Sequence, residues 1–487
     1  MKQTTILTLA VSLFCVLDST NETFAADRPN ILFIAVDDMN DWNGVLGGNP
    51  QAKTPHMETL ASKAMVFTNA HCAAPACGPS RSSLMSGIRP STSGNYINSN
   101  SIIRNPILNN SVLLPEFFQQ NGYYVAGSGK LFHGGHFQRE IQGRGFDEYA
   151  PSKTQDLFPF ETRLSSPYKM NGFKKGPAYH DWGPYHPDVK LEDVNDGKTA
   201  IWAQEQLLSG ELKEPFFLGA GIFQPHLPNY ALQEYFDKFP LDEIELPQGY
   251  LENDLDDVPQ ASSKQGHIKA SKTLRDAAQW KPAIRAYLAA TAMTDDLIGQ
   301  IVGALEKSTY ADNTIIVLWS DHGFQLGEKD RWEKFSLWER ATRVNMMWVA
   351  PGVTTPGTST DKPVNLLDIY PTLVSLTGLE PPEGQLEGND LSVLMKDPEA
   401  SWNDTTLTTF GYKNYSLRSD RYRYTVYADG SEELYDHAKD KWEWTNLASN
   451  PEYAVIKKKM RKDLPTRHQP IGLLETHFEA RKKQKQN

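Results

Sequence analysis

The chain has 487 residues, with 49 lysines and arginines against 60 aspartates and glutamates and a net charge of −11. That balance does not present a surface for nucleic acid or another polyanion, so no nucleic-acid partner is expected. Three cysteines in so long a chain exclude a disulfide scaffold, and the length suffices for one large core with a smaller companion.

Met1-Lys2, the apolar run from Ile6 to Leu17 and the small pair Ala25-Ala26 predict a secretory signal peptide over residues 1–26. The apolar stretch is short and interrupted by Asp18, which argues against a membrane anchor. A periplasmic or secreted protein is expected. Cys15 would leave with the leader, so Cys72 and Cys77 would be the cysteines of the mature chain.

Four runs, at 30–36, 123–127, 216–220 and 314–319, are apolar without period-2 alternation and read as strands buried on both faces. Amphipathic helices are predicted at 56–65, 111–121 and 283–305. This alternation predicts an α/β fold, with a large, mostly parallel sheet between helices. After the Pro-, Gly- and acid-rich stretch 379–384, short alternating runs at 415–418, 422–427 and 433–436 predict a small antiparallel sheet. A terminal helix is expected from about Pro451. The expected division is a catalytic domain over 27–395 and a C-terminal subdomain over 396–487.

Ligands of such sheets bind beyond the carboxyl ends of the strands. The residues leaving the four strands are Asp37-Asp38, Ser128-Gly129-Lys130, Gln224-Pro225-His226 and Ser320-Asp321-His322. Adjacent acids on an ideal strand face opposite ways, but where the backbone turns at a strand end both can face one ion. Three carboxylates packed together repel and require a cation. Oxygen-rich ligation favours a hard ion, and Ca²⁺ tolerates irregular geometry better than Mg²⁺. Taken singly, each acidic group reads equally as a surface turn or a capped loop.

Cys77-Gly78-Pro79-Ser80-Arg81 carries a different signal. Pro79 suits the first turn of a helix running on to Ser86, which would place Cys77 at the positive end of the helix dipole. Arg81, one turn later, can reach back to hold a group there. The plainer readings are a buried structural cysteine or a Cys72–Cys77 disulfide, which would abolish that chemistry.

The run from Cys77 to Arg81 resembles the activation signature of type I sulfatases. The resemblance extends in the family's order through Asp37-Asp38-Met39, Gly129-Lys130-Leu131-Phe132-His133, Pro225-His226-Leu227-Pro228, Ser320-Asp321-His322-Gly323, Leu326-Gly327-Glu328 and Trp332-Glu333-Lys334. Lys130-x-x-His133, Asp-His at the metal and the segment 417–425 are similar to the iduronate-2-sulfatase-like branch. The resemblance implies an alkaline-phosphatase-like fold, a sulfated saccharide substrate and a formylglycine-generating enzyme that oxidises Cys77. It further implies one Ca²⁺ held by Asp37, Asp38, Asp321 and modified Cys77, with His322 at a position that often carries an amide in the family.

By the same resemblance, the hydrated aldehyde at 77 would attack sulfur in line while Arg81 holds the hydrate. Lys130 and Lys334 would bind sulfate oxygens. His226 would protonate the leaving alcohol with help from Lys334, and His133 would take the proton whose loss expels sulfate. The implied substrate is a sugar sulfate, such as the 2-O-sulfate of a uronic acid, removed from a chain end. Rival readings are a phosphodiesterase or phosphonate monoester hydrolase on the same scaffold, and a sugar-binding homologue without turnover. Trp182, Tyr185, Tyr230, Phe324 and Trp332 are candidates for a sugar pocket, and 151–187 and 253–280 for substrate-facing loops.

Overall fold

Strand β1 (Asn30–Val36) explains the rest of the main sheet, because an apolar run with no polar face must be covered on both sides. All seven of its residues are buried. Ile31, Phe33 and Ala35 enter one apolar cluster, and Leu32, Ile34 and Val36 enter another on the opposite face. The computed structural model describes residues 28–99, 102–133, 143–150, 171, 180–266, 268–403 and 405–470. The predicted leader, 1–26, and most of 151–187 lie outside these residues.

Seven further strands join β1: β2 (Met65–Phe67), β3 (Tyr124–Gly129), β4 (Glu148–Ala150), β5 (Phe216–Ile222), β6 (Thr314–Ser320), β7 (Met346–Val349) and β8 (Thr358–Thr360). Their order is β8-β2-β7-β6-β1-β5-β3-β4. β7 is antiparallel to both neighbours and every other pairing is parallel. Helices α1 (Cys77–Ser86), α2 (Leu114–Gln120) and α5 (Ile369–Leu376) cover one face. Helices α3 (Asn195–Ser209) and α4 (Trp280–Lys307) cover the other. No helix of the described residues is long and apolar enough to cross a membrane.

The four predicted strands are present, each ending within two residues of the expected place. The helix expected at 56–65 stops at Ala61 because Met65 already belongs to β2. The outer strands were not foreseen. They are short, and β7 pairs through contacts between segments far apart in the chain.

The C-terminal sheet is antiparallel, as expected, with strands β9 (Thr406–Thr409), β10 (Tyr415–Arg418), β11 (Tyr422–Val426) and β12 (Glu432–Asp436). A 3₁₀ turn, Pro451–Tyr453, leads into a helix, Ala454–Met460, whose Met460 covers Leu417, Tyr424 and Leu434. β9 is stitched to the segment before α1. The Thr408 hydroxyl donates to the Cys72 carbonyl at 2.7 Å, and the Thr409 N–H donates to the Ala73 carbonyl at 2.8 Å.

Two sequence expectations change here. Trp182, Tyr185, Tyr230, Phe324 and Trp332 are all buried in apolar clusters. Part of 253–280 docks on the C-terminal sheet region, where the Asn446 N–H donates to Asp257 at 2.7 Å and Lys329 pairs with buried Asp254 at 2.8 Å.

Phe33 sits at the centre of the first cluster, with ring centroids 5.2 Å from Phe217 and 5.4 Å from Trp319. Phe33→Ala should destabilise the protein by about 3–5 kcal/mol, because the close-packed neighbours can refill the space only in part. Thermal unfolding followed by circular dichroism would show this as a lowered midpoint.

Candidate active site

Strands β1, β5 and β6 end level with one another. Val36 stands opposite Ile222 and Ser320, the Asp37 N–H donates to the Ile222 carbonyl at 3.1 Å, and the Asp321 N–H donates to the Val36 carbonyl at 3.1 Å. Asp38 then adopts φ +57°, a left-handed conformation uncommon for a residue with a side chain. This turn keeps its carboxylate at the same edge as that of Asp37, and its N–H donates to Asp321 Oδ1 at 3.1 Å.

The turn is held from behind. Tyr287, in the middle of α4, donates its hydroxyl to the Asp38 carbonyl at 2.8 Å and accepts from the Asn40 N–H at 2.9 Å. The Asn345 amide donates to the Met39 and Asn40 carbonyls at 3.2 and 3.0 Å. Neither residue was singled out from sequence, since each lies hundreds of positions from what it supports.

Helix α1 begins at Cys77, behind an extended Ala76, so the thiol lies at the helix N-terminus. Cys77 is fully buried, with Sγ 3.2 Å from both Lys334 Nζ and His322 Nε2. Arg81 donates from Nε to Asp321 Oδ2 at 2.8 Å, reaches Asp37 Oδ1 at 3.4 Å, and donates to the Lys130 and Leu131 carbonyls. Lys130 pairs with Asp37, and Lys334 with Asp38. Lys130 reaches the site because Gly129 takes φ +72° against β5, where a Cβ would lie 1.9 Å from the Gly221 carbonyl oxygen.

Two histidines complete the ring. His226 Nδ1 is 2.5 Å from the Leu227 carbonyl oxygen, which leaves Nε2 facing Asp38 at 3.7 Å and Asp37 at 4.0 Å. Its loop is anchored by Asp196, which accepts from the Phe223 and Gln224 N–H groups at 2.8 Å each. The ring of His133 approaches Gly78, and its Nδ1 is buried without a hydrogen-bond partner.

The two cysteines among the described residues, Cys72 and Cys77, are free and lie in opposite environments. Burial pushes the Cys72 thiol up, and the Asp321 charge adds to the push. Burial also acts to raise Cys77, but Lys130, Lys334 and His322 outweigh it and hold the group well below the usual thiol range. Burial pushes Asp321 up to about 7 despite Arg81, with the Asp37 charge adding to the effect. His322 is driven the other way. Burial acts to lower it, but Asp321, Cys77 and Asp38 together outweigh burial and raise it to about 9.

The three carboxylates at this edge suit a hard cation. Asp37, Cys77, Asp321 and His322 each place one ligand atom within 4.8 Å of the others, as do Asp37, Asp38, Cys77 and His226. Asp38 Oδ2 is buried and accepts no hydrogen bond. A carboxylate oxygen in that state is costly unless a cation completes it. Asp37, Asp38, Cys77, Arg81, Lys130, His133, His226, Asp321, His322 and Lys334 meet at this edge.

Residues 29–379 match the family model described as Sulfatase, and residues 327–469 match the model described as N-sulphoglucosamine sulphohydrolase, C-terminal. The chain belongs to the sulfatase family. A sulfatase of Formosa agariphila is 37% identical over 439 residues, covering 87% of this chain and 84% of the relative. Iduronate 2-sulfatase of Mus musculus is 29% identical over 507 residues, covering 86% and 88%. A phosphonate monoester hydrolase from Silicibacter pomeroyi superposes with a TM-score of 0.73 at 20% identity, over 89% of this chain and 94% of that one. That last likeness shows the shared alkaline-phosphatase-like fold alone. This sulfatase is thus a sulfuric ester hydrolase.

Tyr287→Phe leaves the Asn40 N–H without its acceptor and the Asp38 carbonyl without its donor. The variant should lose about 1–3 kcal/mol of stability and turn over more slowly, with substrate affinity changed less. Unfolding midpoints and steady-state kinetics of the two proteins check this.

Proposed function

We propose that this sulfatase removes a sulfate ester from a carbohydrate, the 2-O-sulfate of a uronic acid or a related sugar at a chain end. The observation that carries the reading is a fully buried Cys77 at a helix N-terminus, touched by Lys334 and His322 and backed by Arg81. Family membership and the similarity to an iduronate 2-sulfatase support it. Cys77 would be converted to formylglycine by a separate maturation enzyme before the fold closes, because in the folded chain it is 0% exposed.

Asp37, Asp38, Asp321, His322 and the side chain at 77 would hold one Ca²⁺. That ion would draw electrons from sulfate oxygen and from the hydroxyl at 77. Matured to a hydrated aldehyde, residue 77 would supply one hydroxyl to attack sulfur and a second whose deprotonation expels sulfate.

The remaining residues act around that position. Lys130 and Lys334 bind the sulfate oxygens, and their charge gains value as the transition state spreads negative charge. Arg81 fixes Asp37 and Asp321 and carries positive charge behind the nucleophile. A sugar alkoxide is a poor leaving group, so His226 delivers a proton to it, Nδ1 being held by the Leu227 carbonyl and Nε2 facing the site. Burial lowers the His133 pKa against the pull of its hydrogen bond with Cys77, which keeps the imidazole neutral and able to accept a proton.

The phosphonate monoester hydrolase reading rests on fold similarity alone, and direct rate comparison separates the two. Sulfate esters should be turned over far faster than phosphonate monoesters. Mass spectrometry of the peptide carrying residue 77 should find formylglycine. Cys77→Ala should lower turnover by about a thousandfold or more while leaving the unfolding midpoint nearly unchanged. A fully active preparation with an unmodified thiol at 77 would falsify the mechanism. Chelation should both abolish turnover and lower the unfolding midpoint, with Ca²⁺ restoring both.

A further inference from the structure

The C-terminal sheet carries a turn whose flanks pack against segments next to the nucleophile position. Directly after β9, whose Thr409 bonds the Ala73 carbonyl, residues 410–414 close on themselves. The Phe410 N–H donates to the Asn414 carbonyl at 3.0 Å, the Asn414 amide donates back to the Phe410 carbonyl at 2.9 Å, and the Ala428 N–H donates to Asn414 Oδ1 at 3.0 Å. Gly411 and Lys413 both have positive φ, +69° and +61°. The turn is therefore fixed in shape, with a lysine held in a conformation that side chains seldom adopt.

Its two flanks touch segments that reach Cys77. The Phe410 ring lies 6.2 Å from Phe335, the residue after Lys334, and the Phe335 N–H donates to the Pro75 carbonyl at 3.1 Å. The Tyr412 ring meets Tyr96 edge-on at 6.3 Å, two residues before Asn98, whose Oδ1 accepts from the Gly78 N–H at 2.9 Å. Tyr412 and Ile97 are 36% and 38% exposed, which leaves an open apolar rim. Lys413 Nζ stands 5.2 Å over the Tyr412 ring, and among the described residues no carboxylate pairs with it.

We propose that Tyr412 and Lys413 form a substrate subsite at the rim: Tyr412 packs on a sugar ring, and Lys413 pairs with an anionic substituent other than the scissile sulfate. The inference rests on the carbohydrate sulfatase reading above. Lys130 and Lys334 already serve the sulfate that is cleaved. Lys413 lies instead over the Tyr412 ring, so it answers a second negative group. An exposed aromatic beside an unpaired cation fits a sugar bearing a carboxylate or a further sulfate.

The test is calorimetric binding to the Cys77→Ala protein, which has no turnover. Three probes are compared: an unsaturated 2-O-sulfated uronate disaccharide with a 6-O-sulfated glucosamine, its carboxyl-reduced counterpart, and its 6-O-desulfated counterpart. Adding Lys413→Gln should weaken binding of the first probe about three- to fivefold, as for an exposed ion pair. That loss should vanish with the carboxyl-reduced probe if Lys413 pairs with the carboxylate, or with the 6-O-desulfated probe if it pairs with sulfate. Tyr412→Ala should weaken all three alike. Less than a twofold change with Lys413→Gln, or an equal loss on all three probes, overturns the subsite while leaving the sulfatase reading intact. If the Cys77→Ala protein itself binds none of the probes, the 2-O-sulfated uronate reading falls, and the subsite with it.

Discussion

Arg81 ties helix α1 to the ends of the central strands, and the geometry of the site depends on that attachment. Its guanidinium is 1% exposed and bonds Asp321 after β6, Asp37 after β1 and the carbonyls of Lys130 and Leu131 after β3. A buried charge of this kind is tolerable only when fully paired, and removing it would leave Asp321 without its arginine and Asp37 with Lys130 to balance it. Cys77 lies one helical turn before Arg81. Anchoring the guanidinium therefore fixes where the helix N-terminus, and the group upon it, must point.

Around that anchor the charges are arranged in opposition. Asp37, Asp38 and Asp321 crowd one side, while Lys130, Lys334 and Arg81 each bond at least one of them. This balance separates the two cysteines, which lie five residues apart. Both are buried, yet Cys72 is kept as an inert thiol and Cys77 is drawn towards its anion. Burial alone would treat them alike; the charges beside them, Asp321 at Cys72 and the cations around Cys77, distinguish them.

The C-terminal sheet is tied to the segment that precedes α1. β9 bonds the carbonyls of Cys72 and Ala73, so the turn after it cannot drift from the nucleophile. Core residues thus position the groups at the strand ends, whereas the turn proposed to meet the substrate belongs to a separate sheet. Such a division lets recognition change without disturbing the strand ends.

The chain's local patterns were enough to place the central strands, the residues that leave them and the helix start at Cys77. Each is a short-range property: a doubly buried strand needs an unbroken apolar run, and a helix start has its own residue preferences. That Lys334 and His322 share a site with Cys77 was implied by family resemblance, and the geometry of that site exists only once the sheet forms. Tyr287, Asn345 and Asp196 were invisible beforehand, because what they do lies entirely in partners brought near by folding. The large aromatics show the same limit. Hydrophobicity says that Trp182 and Trp332 will be covered, but not whether by a sugar or by the core. Tertiary packing chose the core, and it left Tyr412 at the rim because the turn after β9 has solvent on one side.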